Sequence, residues 1–316
     1  QDPRDTRGRV MADTLIIGAG IAGLACARAL TDAGHRVTVL DKGRGVGGRL
    51  ATRRTEDGWQ FDHGAQYIAA SGTPFREAMA GMAEAGSLAP WDQPDHLVGV
   101  PGMSAVAKAM ASGIDLRQRV EIKSVSQSPD RINLDTGTDT LEAERVVITV
   151  PAPQARALVG DAHPLAAALE RVAYAPCLTL MAVLAEGSPA PFLHARDAEA
   201  DLAWIAHNST KPGRPGPGCW VAQASVAWSE AHLERDKDDI AARMLPLLTE
   251  RLGADPGAVL YAAAHRWRYA HVTRPLGAPF LREGGLYLGG DWCLGPRVES
   301  AWQSGRAIAD DILGAS

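Results

Sequence analysis

Thr14-Leu15-Ile16-Ile17-Gly18-Ala19-Gly20-Ile21-Ala22-Gly23 is the stretch that decides the fold. Thr14 to Ile17, with three apolar residues in a row, reads as a short buried strand, and the glycines that follow fit G-x-G-x-x-G at a strand-to-helix turn. Gly18 permits the tight turn, Gly20 lets the backbone approach a pyrophosphate, and Gly23 lets helix and strand pack closely. The helix is predicted over 20–33 and stops at Gly34. A second apolar strand, Arg36 to Leu40, ends in Asp41, roughly 20 residues past the first glycines, where an acid binds ribose hydroxyls. The unit predicts a dinucleotide whose phosphates lie against the helix N-terminus, at Gly18, Gly20, Ile21, Ala22 and Gly23.

The glycine motif alone does not separate NAD from FAD, but the next segment does. Asp41-Lys42-Gly43-Arg44-Gly45-Val46-Gly47-Gly48-Arg49 runs from the acid into a second glycine-rich loop ending in arginine. Gly47 and Gly48 allow close backbone approach, and Arg49 can fork onto a diphosphate. Arg53 and Arg54 read as solvated.

Farther out, Leu116 to Ser126, Arg131 to Asp135 and Thr140 to Glu142 read as a small antiparallel layer, with Arg145 to Val150 and Leu286 to Gly290 as further strands and Glu299 to Leu313 as the last helix. The middle of the chain predicts strands at Leu178–Ala185, Leu202–Asn208, Trp220–Ser225 and Val259–Tyr269, with a helix over Asp236–Leu252. Lys211 to Gly218 (KPGRPGPG) reads as a loop. The expected fold is α/β: a Rossmann-type FAD-binding domain (11–72, 101–160 and 270–316) interleaved with a mixed-sheet α+β substrate domain (73–100 and 161–269). Residues 1–10 read as a leader, with the natural start at Met11.

The chain has 316 residues, 46% of them hydrophobic, enough for a large core. A net charge of −5 gives no basic field for nucleic acid or an anionic membrane. Cys26, Cys177, Cys219 and Cys293 lie too far apart in sequence for CxxC chemistry or a zinc knuckle. Reduced thiols and a cytoplasmic location are expected. No His/Asp/Glu cluster has metal-ligand spacing, so no metal is expected.

GAGIAG together with DKGRGVGGRLATRR resembles the flavin amine oxidase superfamily. Three further stretches narrow the resemblance to renalase-like proteins of the bacterial type: Phe61-Asp62-His63-Gly64-Ala65-Gln66-Tyr67, His265-Arg266-Trp267-Arg268-Tyr269, and Gly289-Gly290-Asp291-Trp292 leading to Val298-Glu299-Ser300-Ala301-Trp302-Gln303-Ser304-Gly305. The resemblance covers residues 11–314 and implies non-covalent FAD. It implies that Ala65 and Gln66 contact FAD, that Tyr67 and Ile68 border the substrate cavity, and that Val120 pairs with the adenine. Asp291, with Gly290, would bind the ribityl chain, and Val298, Glu299, Ser300 and Ala301 would present N–H groups to the flavin N1–C2=O edge, where reduced flavin is negative. Trp267 and Arg268 complete the candidate cavity, with Arg266 and Arg196 as further candidates for substrate phosphates. None of the five lysines lies in a segment resembling the lysine that amine oxidases of this superfamily place near flavin N5, and Cys293 lacks the context for covalent attachment.

The implied activity is an oxidase that takes a hydride from 2- or 6-dihydropyridine isomers of NAD(P)H and passes the electrons to oxygen. A dihydropyridine drives its own hydride loss, so no residue is expected to be essential as a general base. The alternatives are a flavin amine oxidase or desaturase, and a non-catalytic FAD-binding protein.

Overall fold

The computed structural model describes residues 13–128, 131–214, 216 and 218–314, so the expected leader and the start at Met11 lie outside the described residues. In chain order the first strands are β1 (Thr14–Ile17), β2 (Val37–Asp41), β3 (Thr52–Arg54), β4 (Gln60–Asp62), β5 (Leu88–Pro90) and β6 (Leu97–Gly99). Then come β7 (Asp115–Gln118), β8 (Ser124–Gln127), β9 (Ile132–Asp135), β10 (Thr140–Ala143), β11 (Arg145–Ile148) and β12 (Ala173–Leu184). The last are β13 (His194–Arg196), β14 (Leu202–His207), β15 (Cys219–Ala224), β16 (Val259–Arg274), β17 (Leu281–Glu283) and β18 (Leu286–Leu288). The helices are α1 (Ile21–Asp32), α2 (Thr73–Glu84), α3 (Ser104–Ala111), α4 (Ala152–Val159), α5 (Ala166–Glu170), α6 (Val226–His232), α7 (Lys237–Leu252) and α8 (Val298–Leu313).

Packing divides the chain into two units: residues 1–48, 110–173 and 273–316, and residues 49–109 and 174–272. The first is built on a six-stranded sheet of order β17-β18-β11-β1-β2-β7. β1 lies between β2 and β11 and parallel to both, Thr14 opposite Val37 and Arg145. The unbroken apolar runs of β1 and β11 are what a strand covered on both faces requires, and Leu15, Ile16, Val146 and Val147 are fully buried. α8 packs on α1 at backbone distance, since a Cβ on Gly305 would strike the Ala22 carbonyl.

Two expectations need correction here. Leu116–Ser126 does not belong to one antiparallel layer, because Asp115–Gln118 pairs parallel to β2, Leu116 opposite Val39. Arg119, with φ of 59°, turns the chain after that strand, and only β8, β9 and β10 form the antiparallel layer. The boundaries also shift: residues 49–72 and 101–109 pack with the second unit and 161–173 with the first. The cause for 49–72 is the β3–β4 hairpin, whose Phe61 packs on Met181, Val183 and Val221.

The second unit carries a five-stranded sheet of order β13-β14-β15-β12-β16, with β13–β14, β14–β15 and β15–β12 antiparallel. Strand periodicity divides it cleanly into two faces. Leu178, Leu180, Ala182, Trp220 and Ala264 pack against Ile240, Met244 and Leu248 of α7, while Met181, Val183, Val221, Tyr261 and Ala263 face Phe61. Trp220 and Trp228 sit in the core, as their apolar surroundings require.

Candidate cofactor and active site

In the first unit the β1–α1 turn has the geometry of an anion cradle. Gly18 has φ of +108°, and a Cβ on Gly23 would run into the Gly18 carbonyl, so both glycines are demanded by the turn itself. Gly20 is different: its φ is −79°, and an added Cβ would meet nothing within 4 Å. Neither backbone conformation nor protein packing calls for glycine there, which is what the close approach of a ligand would demand. Gly20 caps α1 with no side-chain hydrogen bond, so helix N–H groups face that open space and favour an anion. Asp41 organises the turn by accepting from Ala19 N at 2.7 Å and from Gly43 N at 2.6 Å, which leaves further lone pairs on each oxygen. The second glycine loop is drawn to the same place: Gly47 N donates to the Ala19 carbonyl at 2.8 Å. Lys42 is exposed. The Val120 amide is donated to the Asp41 carbonyl at 3.0 Å, which leaves its carbonyl as the group able to meet a base. These donors and this open glycine fit the diphosphate and ribose of a dinucleotide.

After the C-terminal end of β18, at the same edge of the parallel sheet as the β1–α1 turn, Gly290 has φ of +152° and leads into buried Asp291, whose carbonyl accepts from Gly295 N at 2.7 Å. α8 begins at Val298, and buried Glu299 stands in its first turn, where a carboxylate complements the helix dipole. Ser300 is buried and Ala301 N donates to the Arg297 carbonyl at 3.2 Å. Cys293 is fully buried, and burial pushes its thiol up to about 12, so it is an inert side chain.

In the second unit, His63 lies on the odd-numbered face of β16, and the segment that follows crosses to other strands: the Gly64 carbonyl accepts from Gln223 Nε2 of β15 at 2.8 Å, and Tyr67 lies beside Trp204 of β14. Trp267 Nε1 donates to the His63 carbonyl at 2.7 Å, and its ring stacks on the His63 imidazole at 5.4 Å between centroids. His265 meets His63 edge-on at 4.7 Å. Burial pushes both imidazoles down to about 4, so this aromatic wall is neutral at physiological pH. Arg268 does not belong to that wall. Alternation along β16 turns it away from Trp267, and its guanidinium forks onto Glu234 at 2.7 and 3.0 Å on the exposed surface. Arg266 turns the same way and donates to the Arg235 carbonyl. Ile68 is also displaced from the expected cavity: it is 1% exposed and bridges to Leu97, which makes it a core residue. Arg49 donates to the Ala270 carbonyl at 3.1 Å, so the guanidinium expected on a diphosphate is engaged with β16. Arg53 and Arg54 are exposed.

Tyr67 stacks on His96 at 3.9 Å, and His96 and His194 both hydrogen-bond the Asp92 carboxylate, at 2.8 and 2.5 Å. Burial of Asp92 would raise its pKa, but these two bonds outweigh it and hold the carboxyl below its ordinary value. Trp204 stacks on His194 at 4.8 Å, so it belongs with this group rather than with the deep core.

Sequence reasoning missed the most heavily bonded group in the second unit. Asp62 is fully buried and accepts from Thr52 Oγ1 (2.8 Å), Met103 N (2.9 Å) and Arg214 Nε and Nη2 (3.1 and 2.5 Å). Lys211 Nζ lies 3.7 Å from the same carboxylate, and the Lys211 and Arg214 side chains are 0% exposed. Burial pushes Asp62 up, yet the two cations and these hydrogen bonds outweigh it and keep the carboxyl ionised. Lys211 also donates to Gln66 Oε1 at 3.1 Å. The loop expected to be merely irregular thus carries two buried cations to the DHGAQY segment. The available signal was a lysine and an arginine three residues apart in a loop, opposite an acid between Phe61 and His63.

Residues 16–83 match an NAD(P)-binding Rossmann-like domain, and residues 82–313 match the flavin-containing amine oxidoreductase family. An L-amino-acid oxidase of Siganus canaliculatus is 48% identical over 63 residues, 20% of this chain and 12% of that protein. One of Mus musculus is 45% identical over 58 residues, 18% of this chain and 9% of that protein. The chain therefore matches only a small part of the length of these curated relatives. Among solved structures, a protein provisionally assigned as a protoporphyrinogen oxidase from Exiguobacterium sp. 255-15 superposes with a TM-score of 0.78 at 14% identity, over 98% of this chain and 100% of that one. Cyclohexylamine oxidase from Brevibacterium oxydans superposes with a TM-score of 0.72 at 16% identity, over 96% of this chain and 99% of that one. These two likenesses are of fold. With a family match that extends over residues 82–313, the protein belongs to the flavin-containing amine oxidoreductase family, with FAD as its cofactor.

Proposed function

We propose that the protein is an FAD-dependent oxidase that takes a hydride from 2- or 6-dihydropyridine isomers of NAD(P)H and gives NAD(P)+ and, from oxygen and a proton, hydrogen peroxide. The observation that carries this proposal is the neutral wall of His63, His265 and Trp267. A dihydropyridine becomes an aromatic cation as the hydride leaves, so the protein needs a flat surface to orient the ring and no base to remove a proton. Bound FAD supplies the two-electron acceptor. In this proposal the first unit holds it non-covalently: the turn at Gly18, Gly20, Ile21, Ala22 and Gly23 takes the diphosphate, Asp41 the ribose, Val120 the adenine, Asp291 the ribityl chain, and the N-terminus of α8 the flavin edge. Ala65 and Gln66 contact the flavin, while Tyr67 and Trp267 flank the substrate ring.

A second reading, oxidation of an amine or amino acid, is favoured by the relatives named L-amino-acid oxidase and by the buried Lys211. Anaerobic mixing of the FAD-loaded protein with purified 2-, 4- and 6-dihydro isomers, and separately with amines and L-amino acids, distinguishes the two. Rapid bleaching of the flavin band by the 2- or 6-isomer is expected. Bleaching by amines alone would establish the second reading, and bleaching by neither class would identify a non-catalytic FAD-binding protein.

A further inference from the structure

We propose that Lys211 is a positioning residue that acts through Gln66, selecting one orientation of its amide and so fixing the Ala65-Gln66-Tyr67 segment at the substrate site. This builds on the placement of Gln66 proposed above. Gln66 Nε2 donates to the Asp62 carbonyl at 2.7 Å and to the Gly64 carbonyl at 3.0 Å, while Oε1 accepts from Lys211 Nζ at 3.1 Å. Rotating the amide by half a turn would point its NH2 at an ammonium and its oxygen at two carbonyls, so the lysine leaves one orientation. Gln66 is 6% exposed and Lys211 is 2% exposed, so water cannot replace either partner.

Besides Gln66, two further groups of the second unit contact the ammonium. Asp62 of β4 faces it at 3.7 Å, and the ring of Trp91 lies 5.1 Å away. Arg214, from the same loop, competes for Asp62 with the closer contact, at 2.5 Å. Asp92, between β5 and β6, adds a weaker attraction. One carboxylate is thus shared by two buried cations, and Arg214 holds most of it. Burial pushes Lys211 down to about 8, with Asp62 opposing and Arg214 adding to the shift. Loss of the proton weakens a charge-assisted bond to Gln66. The positioning is therefore expected to relax on the alkaline side of neutrality.

The test labels the lysine Cε carbons of the FAD-loaded protein and follows their NMR signals from pH 6 to 11. With five lysines in the chain, one signal should titrate well below the others and disappear in Lys211→Met. In Gln66→Leu the same signal should titrate lower by about half a unit or more, because the charged form loses its acceptor. The flavin absorbance of the wild type should change over the same pH range, and that change should vanish in Lys211→Met and in Lys211→Arg. Flavin reduction should slow about 10-fold or more in Lys211→Met and recover in part in Lys211→Arg. If Lys211→Met does not fold, Lys211→Arg assigns the signal and Gln66→Leu carries the test. A Lys211 signal indifferent to Gln66→Leu, or a flavin spectrum whose pH response survives in Lys211→Arg, overturns the proposal. If no dihydropyridine bleaches the flavin while the NMR coupling holds, the proposed substrate fails and the positioning of Gln66 stands.

Discussion

Asp62→Asn is the sharpest perturbation this structure suggests, because it changes one oxygen to nitrogen at a fully buried site. The asparagine Oδ1 can still accept from Thr52 and Met103, as the aspartate oxygen does at 2.8 and 2.9 Å. Its NH2, however, faces the Arg214 fork that now donates at 3.1 and 2.5 Å, so donors oppose donors. Two cations are left buried with no carboxylate between them. Removing one partner from a buried ion pair costs about 3–5 kcal/mol, several times the value of an exposed pair. Urea unfolding at pH 7, followed by tryptophan fluorescence, is a suitable assay because six of the eight tryptophans (residues 59, 91, 204, 220, 228 and 267) fall in the second unit. The pH dependence gives a second check. Lys211 titrates at about 8 in the folded protein against an ordinary 10.5. Between those values the unfolded chain holds the extra proton, so wild-type stability should rise with pH across that window. Asp62 works from the acid side: held below its ordinary 3.8, it stabilises above that pH and the contribution is lost as pH falls through the folded value. In Asp62→Asn the alkaline rise should begin at lower pH, because the cation has lost its counter-charge. A loss of less than about 1 kcal/mol at pH 7 would refute the placement of two charged groups beside this carboxylate.

Gly20→Val should fold with near wild-type stability as apoprotein yet retain little FAD, whereas Gly23→Val should be destabilised with or without cofactor, since only at Gly23 would a side chain meet the Gly18 carbonyl; thermal melting and flavin content separate the two. Asp41→Ala should lower FAD occupancy after dialysis by freeing the amides of Ala19 and Gly43, and acid precipitation of the wild type should release intact FAD into the supernatant. Flavin reduction by the preferred isomer should show no limb between pH 6 and 7.5, because His63 and His265 stay neutral down to about 4. Each depressed histidine binds its proton less tightly in the folded chain, so stability should fall on acidification between 6.5 and about 4, and replacing His63 with Asn should reduce that slope.

The Rossmann unit was legible because its determinants are local. An apolar run, a glycine spacing and a terminal acid are consecutive in the chain, and β1, α1 and β2 formed within one or two residues of the spans they predict. The two faces of β16 were legible in principle, since period-2 alternation alone separates Trp267 from Arg268. Resemblance of the motif as a block masked that distinction. Other features depended on residues far apart in sequence. Asp115–Gln118 joined the parallel sheet because its partner is β2, more than seventy residues earlier, and nothing in its own four residues states that pairing. The centre formed by Asp62, Gln66, Lys211 and Arg214 is the clearest case. Its members span about 150 positions, and its cations lie in a proline- and glycine-rich loop with no periodicity to read. Sequence alone determined that the chain binds a dinucleotide, because each phosphate-binding feature is set by the backbone conformations of neighbouring residues. Tertiary structure alone decided which charges are buried together, because burial and pairing depend on which distant segments share a low-dielectric interior.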